Sequence, residues 1–503
     1  MKKIFYLFLL LSAVGITSCK KDKKVTPTPS ALDLIKDSVY LYTKETYYWN
    51  KSLPTYEAFK PRSFSGTNDL DALSTEVDAL SQYAINPATG KPYEYYSPAP
   101  GYAKYSFIDD GSVSGELGGV KGDFGFAPSY GTTENDLRVK YVYPGSPADV
   151  KGLKRGYQIT AINGRSGSGL TYDGDGSGAN VNFIVNAYNS SPTITMTLKK
   201  PDGNSFNVSM ATGSYIVNPV LATNIVDAGG GKKVGYIVFN SFTEDANAKP
   251  KLDAAFSNFA AQGVTDLVVD LRYNGGGYVS TAEYLSDLIA PSSANGSLMY
   301  STFYNDDLQH DIHPLLSKIY NIKTGEFLPT DPSNQAKFAK AGNLNISRVF
   351  FIVTNSTASA SELTINNLIP KMDVKLIGTT SYGKPVGFFA IDINKYQLYV
   401  PQFETKNSAG NGGYYDGMKP GSTKYPGVED FDDVSKEFGD PTESLFAYAI
   451  NYVKNGVFSI PTKRIQSTSN LKTLSMDEAK RMTTQMDKKQ FKGMIYDHLK
   501  LKK

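Results

Sequence analysis

The sequence has little of two residue types on which many enzymes depend. Of its 503 residues, one is cysteine and three are histidine. The single cysteine excludes a disulfide within the chain, and a serine hydrolase with so few histidines would need another base. Excess charge is also missing, because 52 basic residues accompany 49 acidic ones, so we expect no nucleic-acid partner. Apolar residues make up 40% of the chain, which is enough to bury a core.

The N-terminus has the pattern of an export signal. Lys2 and Lys3 precede an apolar stretch that is too short to span a bilayer. The stretch ends in Ile-Thr-Ser-Cys at 16–19, which resembles a bacterial lipobox. We therefore predict a signal peptide over 1–18 and lipid attachment at Cys19, which would anchor the protein to a membrane of the bacterial cell envelope. Ordinary export cleavage beside an incidental cysteine is the alternative.

Pattern and composition divide the mature chain into five sections. Apolar residues at helical spacing predict helices in the first folded section, glycine turns between short strands mark the second, and strands alternate with helices in the third. Such alternation predicts a largely parallel sheet with its chemistry at the carboxyl ends of the strands. The sections are a tether at 19–31, a helical N-terminal domain at 32–105, a β-rich domain at 108–213, an α/β domain at 215–455 and an extension at 456–503.

The β-rich section resembles a PDZ domain of the bacterial protease type. Its motifs follow in the usual order, with Gly-Asp-Phe-Gly-Phe at 122–126, Pro-Gly-Ser-Pro-Ala at 144–148 and Ile-Thr-Ala-Ile-Asn-Gly at 159–164. The resemblance implies that Phe124, Gly125 and Phe126 form a loop that binds a peptide's C-terminal carboxylate, with the peptide added as an edge strand. A generic β-rich domain with a glycine turn is the alternative.

A stretch similar to a calcium-binding loop lies in the same section. It reads Asp-Gly-Asp-Gly-Ser-Gly at 173–178, but the twelfth position, where an EF-hand needs a bidentate acid, is Ile184. We interpret it as a turn and predict no metal and no cofactor.

The α/β section contains the residues of a serine hydrolase that works without histidine. Ser359 follows an apolar run and opens a predicted helix, so the N–H of Ala360 would face a developing oxyanion. Lys384 lies among aromatic residues, where burial would lower the pKa of its amine and let it act as the base. Gly276, in a glycine turn after another strand, could supply a second oxyanion donor.

Taken together, these motifs resemble the C-terminal processing peptidases, also called tail-specific proteases. The string Ala-Ser-Ala-Ser-Glu places Ser359 25 residues before Lys384, and Asp-Leu-Arg-Tyr-Asn-Gly-Gly-Gly occupies 270–277. The resemblance implies a crotonase-like core with Ser359 as nucleophile, Lys384 as general base, and Gly276 and Ala360 as oxyanion donors. Phe388 departs from the family pattern, because many members carry Gln or Glu four residues after the lysine.

The sequence thus predicts a multidomain α+β protein with a small helical domain, a PDZ-like domain and a crotonase-like α/β protease core. We expect a lipid-anchored serine endopeptidase that binds an exposed C-terminal tail of a protein or peptide. A non-catalytic peptide-binding lipoprotein of the same fold is the alternative. A glycan- or nutrient-binding surface lipoprotein is a third, supported only by the 35 tyrosines.

Overall fold

The structure of the chain is a computed structural model. The structure describes residues 28–174, 178–459, 474–487 and 490–496. The predicted signal peptide and Cys19 lie outside these residues. Within the described ranges, no helix is both long enough and apolar enough to cross a membrane.

The N-terminal section is mainly helical. Its first helix begins after Ser30, whose hydroxyl accepts from the N–H of Asp33 in a capping box. Asn68 caps the third helix by accepting from the N–H of Asp71. The elements are α1 Ala31–Thr46, α2 Tyr56–Phe59, α3 Asp69–Ser81, β1 Ile85–Asn86, β2 Lys91–Pro92 and β3 Phe107–Asp109.

A second section contains an antiparallel sheet with its own core. The strand order is β10-β9-β7-β6-β5, and β8 pairs with β7. Its elements are α4 Ser112–Leu117, β4 Val120–Lys121, β5 Phe126–Tyr130, β6 Leu137–Val142, α5 Pro147–Val150, β7 Gln158–Ile162, β8 Arg165–Ser166, α6 Ala179–Asn189, β9 Thr193–Lys199, β10 Ser205–Ala211 and β11 Tyr215–Ile216. The stretch similar to a calcium loop serves α6, because the carboxylate of Asp173 accepts from the N–H groups of Asn180 and Val181.

The third section is built on a six-stranded sheet of order β12-β13-β14-β18-β19-β24, in which β24 is Gly427–Glu429. All neighbouring pairs are parallel except β12 with β13, so the predicted largely parallel sheet is confirmed. The first part of this section comprises β12 Val220–Gly229, β13 Lys232–Phe239, α7 Asp245–Ala261, β14 Asp266–Asp270, β15 Gly276–Tyr278, α8 Val279–Ile289, β16 Leu298–Tyr304, α9 Asp306–Gln309, β17 Gln335–Lys337, β18 Arg348–Val353, α10 Ala360–Leu368 and β19 Asp373–Gly378.

The rest of the chain adds short strands around this sheet and returns to the second section. Strands β21 and β22 form a sheet with β3, so the end of the N-terminal section joins the α/β section. Met482 and Met486 of the last helix lie in the core of the second section. The elements are β20 Val386–Gly387, β21 Ile391–Ile393, β22 Tyr396–Tyr399, β23 Phe403–Asn407, β24 Gly427–Glu429, α11 Ser444–Asn455, α12 Met476–Met486 and β25 Gly493–Ile495.

Candidate active site

Ser359 lies between a central strand and a buried helix. The chain leaves the sheet at the end of β18, and Ser359 then turns it into α10 with φ 59° and ψ −106°. A positive φ is uncommon for a residue with a Cβ, and such backbone strain concentrates at functional sites. The Ser359 hydroxyl is fully buried and has no hydrogen-bond partner among the described residues.

The carboxylate of Glu362 joins the serine turn to the lysine loop. Its Oε2 atom accepts from the N–H of Ser359 at 2.9 Å and from the N–H of Lys384 at 2.8 Å. Its Oε1 atom accepts from the N–H of Gly383 at 2.7 Å and from the Ser381 hydroxyl at 2.5 Å. Because one oxygen receives both backbone amides, the backbones of Ser359 and Lys384 lie close together.

The Lys384 amine lies in a dry pocket. The residue is fully buried, and Nζ lies 3.8 Å from the centre of the Phe388 ring. Nζ donates to the carbonyl of Lys492 at 2.6 Å and to that of Tyr105 at 3.5 Å. In this structure the amine therefore points at two carbonyl groups and not at the Ser359 hydroxyl.

Burial sets the charge of this amine. Desolvation lowers the pKa of Lys384 well below its usual value, and the neighbouring cations Lys104 and Lys492 lower it further, whereas Glu94 and Glu362 oppose the shift. The face of the Phe388 ring also favours the ammonium form. We expect desolvation to dominate, because the amine has no ion-pair partner among the described residues. A neutral lysine can accept a proton.

The two predicted oxyanion donors, the N–H groups of Gly276 and Ala360, lie in neighbouring segments, but the N–H of Gly276 already has a hydrogen-bond partner. Gly276 has φ 108°, and a Cβ on it would lie 3.1 Å from the nitrogen of Ala360 and 3.0 Å from the carbonyl oxygen of Ala358. Only glycine permits this approach. The N–H of Gly276 donates to Asn274 Oδ1 at 2.8 Å, so it is turned toward that side chain here.

The predicted carboxylate-binding loop is packed inward. Phe124 and Phe126 are buried in the core of the second section. The N–H of Gly125 donates to Asp123 Oδ1 at 2.7 Å, and a Cβ on Gly125 would overlap the Ser146 side chain. Peptide binding by this loop stays a prediction, and it would require the Gly125 amide to exchange its partner.

Sequence reasoning missed the residues that reach the site from far along the chain. Tyr105 is 279 residues from Lys384, and its hydroxyl also donates to the carbonyl of Gly383 at 2.6 Å. The Lys104 amine donates to the same carbonyl at 3.2 Å, and burial lowers the pKa of Lys104 to about 8. The adjacent polar Lys104-Tyr105 pair carries no spacing signal that links it to Lys384.

The sequence and the fold resemble those of known peptidases. Residues 233–420 match the model of peptidase family S41. A crystal structure of a Bacteroides fragilis protein classed with the S41 proteases aligns with a TM-score of 0.54 at 23% identity, covering 83% of this chain and 96% of that one. The class is therefore a mixed α/β, multidomain fold of the S41 protease type.

Two relatives with similar sequences are named as carboxyl-terminal-processing proteases. A carboxyl-terminal-processing protease of Picosynechococcus is 32% identical over 167 residues, which are 33% of this chain and 37% of the relative. Another from Synechocystis is 24% identical over 274 residues, 54% of each protein. The chain thus spans about half or less of the length of these relatives. The match of residues 233–420 to the S41 model and the names of these relatives confirm the predicted resemblance to C-terminal processing peptidases.

Proposed function

We propose that the protein is a serine endopeptidase that cleaves proteins or peptides with a Ser359–Lys384 dyad. The supporting observation is that Lys384 is fully buried, which lowers the pKa of its amine. In addition, the backbone N–H groups of Lys384 and Ser359 donate to the same carboxylate oxygen of Glu362. The S41 domain and the relatives named as carboxyl-terminal-processing proteases agree with this chemistry.

The proposed reaction is acyl transfer in two steps. Neutral Lys384 accepts the proton of the Ser359 hydroxyl as its oxygen attacks the peptide carbonyl, and the resulting ammonium protonates the leaving amine. The N–H of Ala360, at the start of α10, faces the oxyanion. Water then hydrolyses the acyl-enzyme, with the same amine as base. For the first step, the Lys384 amine must turn from the Lys492 carbonyl to the serine.

We also propose the finer features of this assignment. The antiparallel sheet with α5 and α6 is PDZ-like and binds exposed C-terminal tails near Phe124, Gly125 and Phe126. The core around the parallel sheet is crotonase-like. Cys19 carries a lipid that anchors the protein to the bacterial cell envelope. The domain limits are those that the sequence predicts.

The test compares cleavage of an unstructured protein, such as a casein, by the wild type and by Ser359→Ala and Lys384→Ala. Each variant should lose about 10³-fold or more in kcat/KM, because nucleophile and base act as one unit. Ser422→Ala and Lys419→Ala are matched controls at partly or mostly exposed positions, and they should cleave like the wild type. Unchanged cleavage by Ser359→Ala would refute the dyad, whereas binding without cleavage by the wild type would favour a non-catalytic peptide-binding protein.

A further inference from the structure

The cleft beside the candidate dyad is already filled by another part of the same chain. We use "cleft" for the space between β15 and Phe388, with Lys384 at one end, and "cleft segment" for residues 490–496. Strand β25 of the cleft segment pairs in parallel with β15, and Gly493 lies opposite Gly276. The N–H of Gly493 donates to the carbonyl of Gly275 at 2.9 Å.

The cleft segment is also paired along its other edge. The N–H of Phe388 donates to the carbonyl of Met494 at 2.9 Å, and the N–H of Tyr496 donates to the carbonyl of Phe388 at 2.8 Å. The segment is therefore bound through main-chain hydrogen bonds, in the way that an extended peptide ligand binds when it adds a strand to a sheet. Because the Lys492 carbonyl accepts from the Lys384 amine at 2.6 Å, the segment also engages the proposed base.

Side chains of the cleft segment fit the cleft in a defined order. Gly493 lies where backbones approach closely, since a Cβ on Gly276 would lie 2.1 Å from its carbonyl oxygen. Met494 and Ile495 are 0% and 2% exposed. Met494 reaches the space beside Gly387, and Ile495 packs in the apolar cluster that includes Phe388. The cleft therefore accepts a glycine followed by two large apolar residues.

Helix α12 and the residue after it anchor the segment. The helix packs on β5 and α6 of the second section, with Met482 and Met486 in the core. Asp487 forms a buried ion pair of 2.5 Å with Lys140, and it accepts from the hydroxyl of Ser356 at 2.8 Å. The anchor thus joins the second section to the loop that carries the candidate nucleophile.

We propose that the cleft is a binding site for an extended peptide that runs parallel to β15 and carries glycine followed by two large apolar residues, and that the cleft segment occupies it as an internal competitor. The proposal rests on the function proposed above, because the competitor matters only if substrates use the cleft. Substrate enters when the cleft segment is displaced, and such peptides are the preferred substrates.

The first experiment displaces the segment in the full chain. Aspartate is costly at a buried apolar position, so Met494→Asp/Ile495→Asp should expel the cleft segment. Casein cleavage should rise by about tenfold or more, since apparent activity scales with the fraction of open molecules. Ile312→Asp/Val457→Asp, which places the same two charges at positions that are 54% and 56% exposed, is the matched control and should cleave like the wild type.

A second measurement guards against a variant that fails to fold. Asp487→Ala, which removes the anchor and leaves the cleft segment intact, should also raise cleavage. A peptide with the sequence of residues 490–496 should inhibit either open variant, and the same peptide with Gly493→Pro should not, because proline cannot donate to Gly275. Equal cleavage by the open variants and the wild type, without inhibition by the peptide, would overturn the proposal.

A measurement of peptide binding distinguishes failure of the proposed peptidase function from failure of the proposed occupied cleft. We add Ser359→Ala to the open variant and measure the fluorescence anisotropy of the labelled 490–496 peptide. Peptide binding without casein cleavage by any active-site-intact chain refutes the peptidase and retains the occupied cleft. Cleavage with no peptide binding refutes the occupied cleft and retains the peptidase.

Discussion

At the scale of single residues, Phe388 controls how dry the Lys384 amine is. Its ring lies 3.8 Å from Nζ and is fully buried. Phe388→Ala would admit water and return the pKa of Lys384 toward its usual value. More of the amine would then be protonated at neutral pH, so the acid limb of the kcat/KM profile should move up by at least about one pH unit. The measurement is kcat/KM against pH with a peptide substrate.

Phe388→Leu is the conservative control, because it keeps an apolar wall and should leave the acid limb near its wild-type position. An acid limb that stays in place when Phe388 becomes alanine would show that this ring does not set the protonation of the base. A fall in rate at every pH, without a shift, would indicate a purely structural role.

The local sequence predicts where Ser359 and Lys384 lie, but it predicts little of what surrounds them. The spacing of Ser359 and Lys384 and the glycine turn at Gly276 fall within motifs, and the structure brings all three regions together. Their catalytic roles stay predictions. Tyr105 and Lys104 come from a distant section through tertiary packing, which leaves no periodic trace in the chain.

At the scale of elements, α3 carries a buried acid that forms no ion pair with any described residue, although Lys36 lies near enough to oppose the rise of its pKa. Glu76 is fully buried, and its carboxylate oxygens have no hydrogen-bond partner among the described residues. Desolvation raises the pKa of Glu76 to about 9. A raised folded-state pKa means that this group's contribution to stability is complete below about pH 4.5 and is lost as pH rises toward 9.

Glu76→Leu should therefore stabilise the protein most at alkaline pH. We expect the free energy of unfolding at pH 8 to rise by roughly 1–3 kcal/mol, since a buried polar group without a partner is removed. Urea unfolding at pH 5 and pH 8 measures it. Glu57→Leu, at an exposed position in α2, is the control and should change neither value. A benefit that is equal at the two pH values would contradict the proton-linked explanation.

Helices and strands with a clear period were predictable, whereas one short strand was not. The apolar runs that predict strands at 233–239, 265–271 and 348–354 correspond to β13, β14 and β18. Strand β25 has three residues and begins with glycine, so it has no alternating pattern, and its pairing with β15 depends on the whole fold.

At the scale of the whole molecule, a buried charge network joins the second and third sections. Asp432 accepts from Arg155 at 2.7 Å and from Arg272 at 2.6 Å. Burial alone would raise the pKa of Asp432, but the two guanidinium groups hold it well below its usual range. This stability is present above about pH 4 and is lost as pH falls further.

Asp432→Asn should lower the free energy of unfolding at pH 7 by about 3 kcal/mol, because it leaves two buried arginines partly unpaired. The difference from the wild type should shrink in acid, and urea unfolding from pH 3 to 7 measures it. Asp373→Asn is the contrast, since the Asp373–Lys375 pair leaves the aspartate 44% exposed and should matter by less than about 1 kcal/mol. Equal effects of the two changes would rule out the network as a junction between sections.

The single oxygen of Glu362 that holds Ser359 and Lys384 has a further consequence for how the chain can vary in length. The connection between the two residues runs through α10 and β19, yet the carboxylate and the pairing of β18 with β19 also fix how far apart their backbones lie. Extra residues in the turn at 369–372 would form a longer surface loop without moving either residue. Insertions there should be tolerated, whereas one added residue between 359 and 362 should misalign the pair.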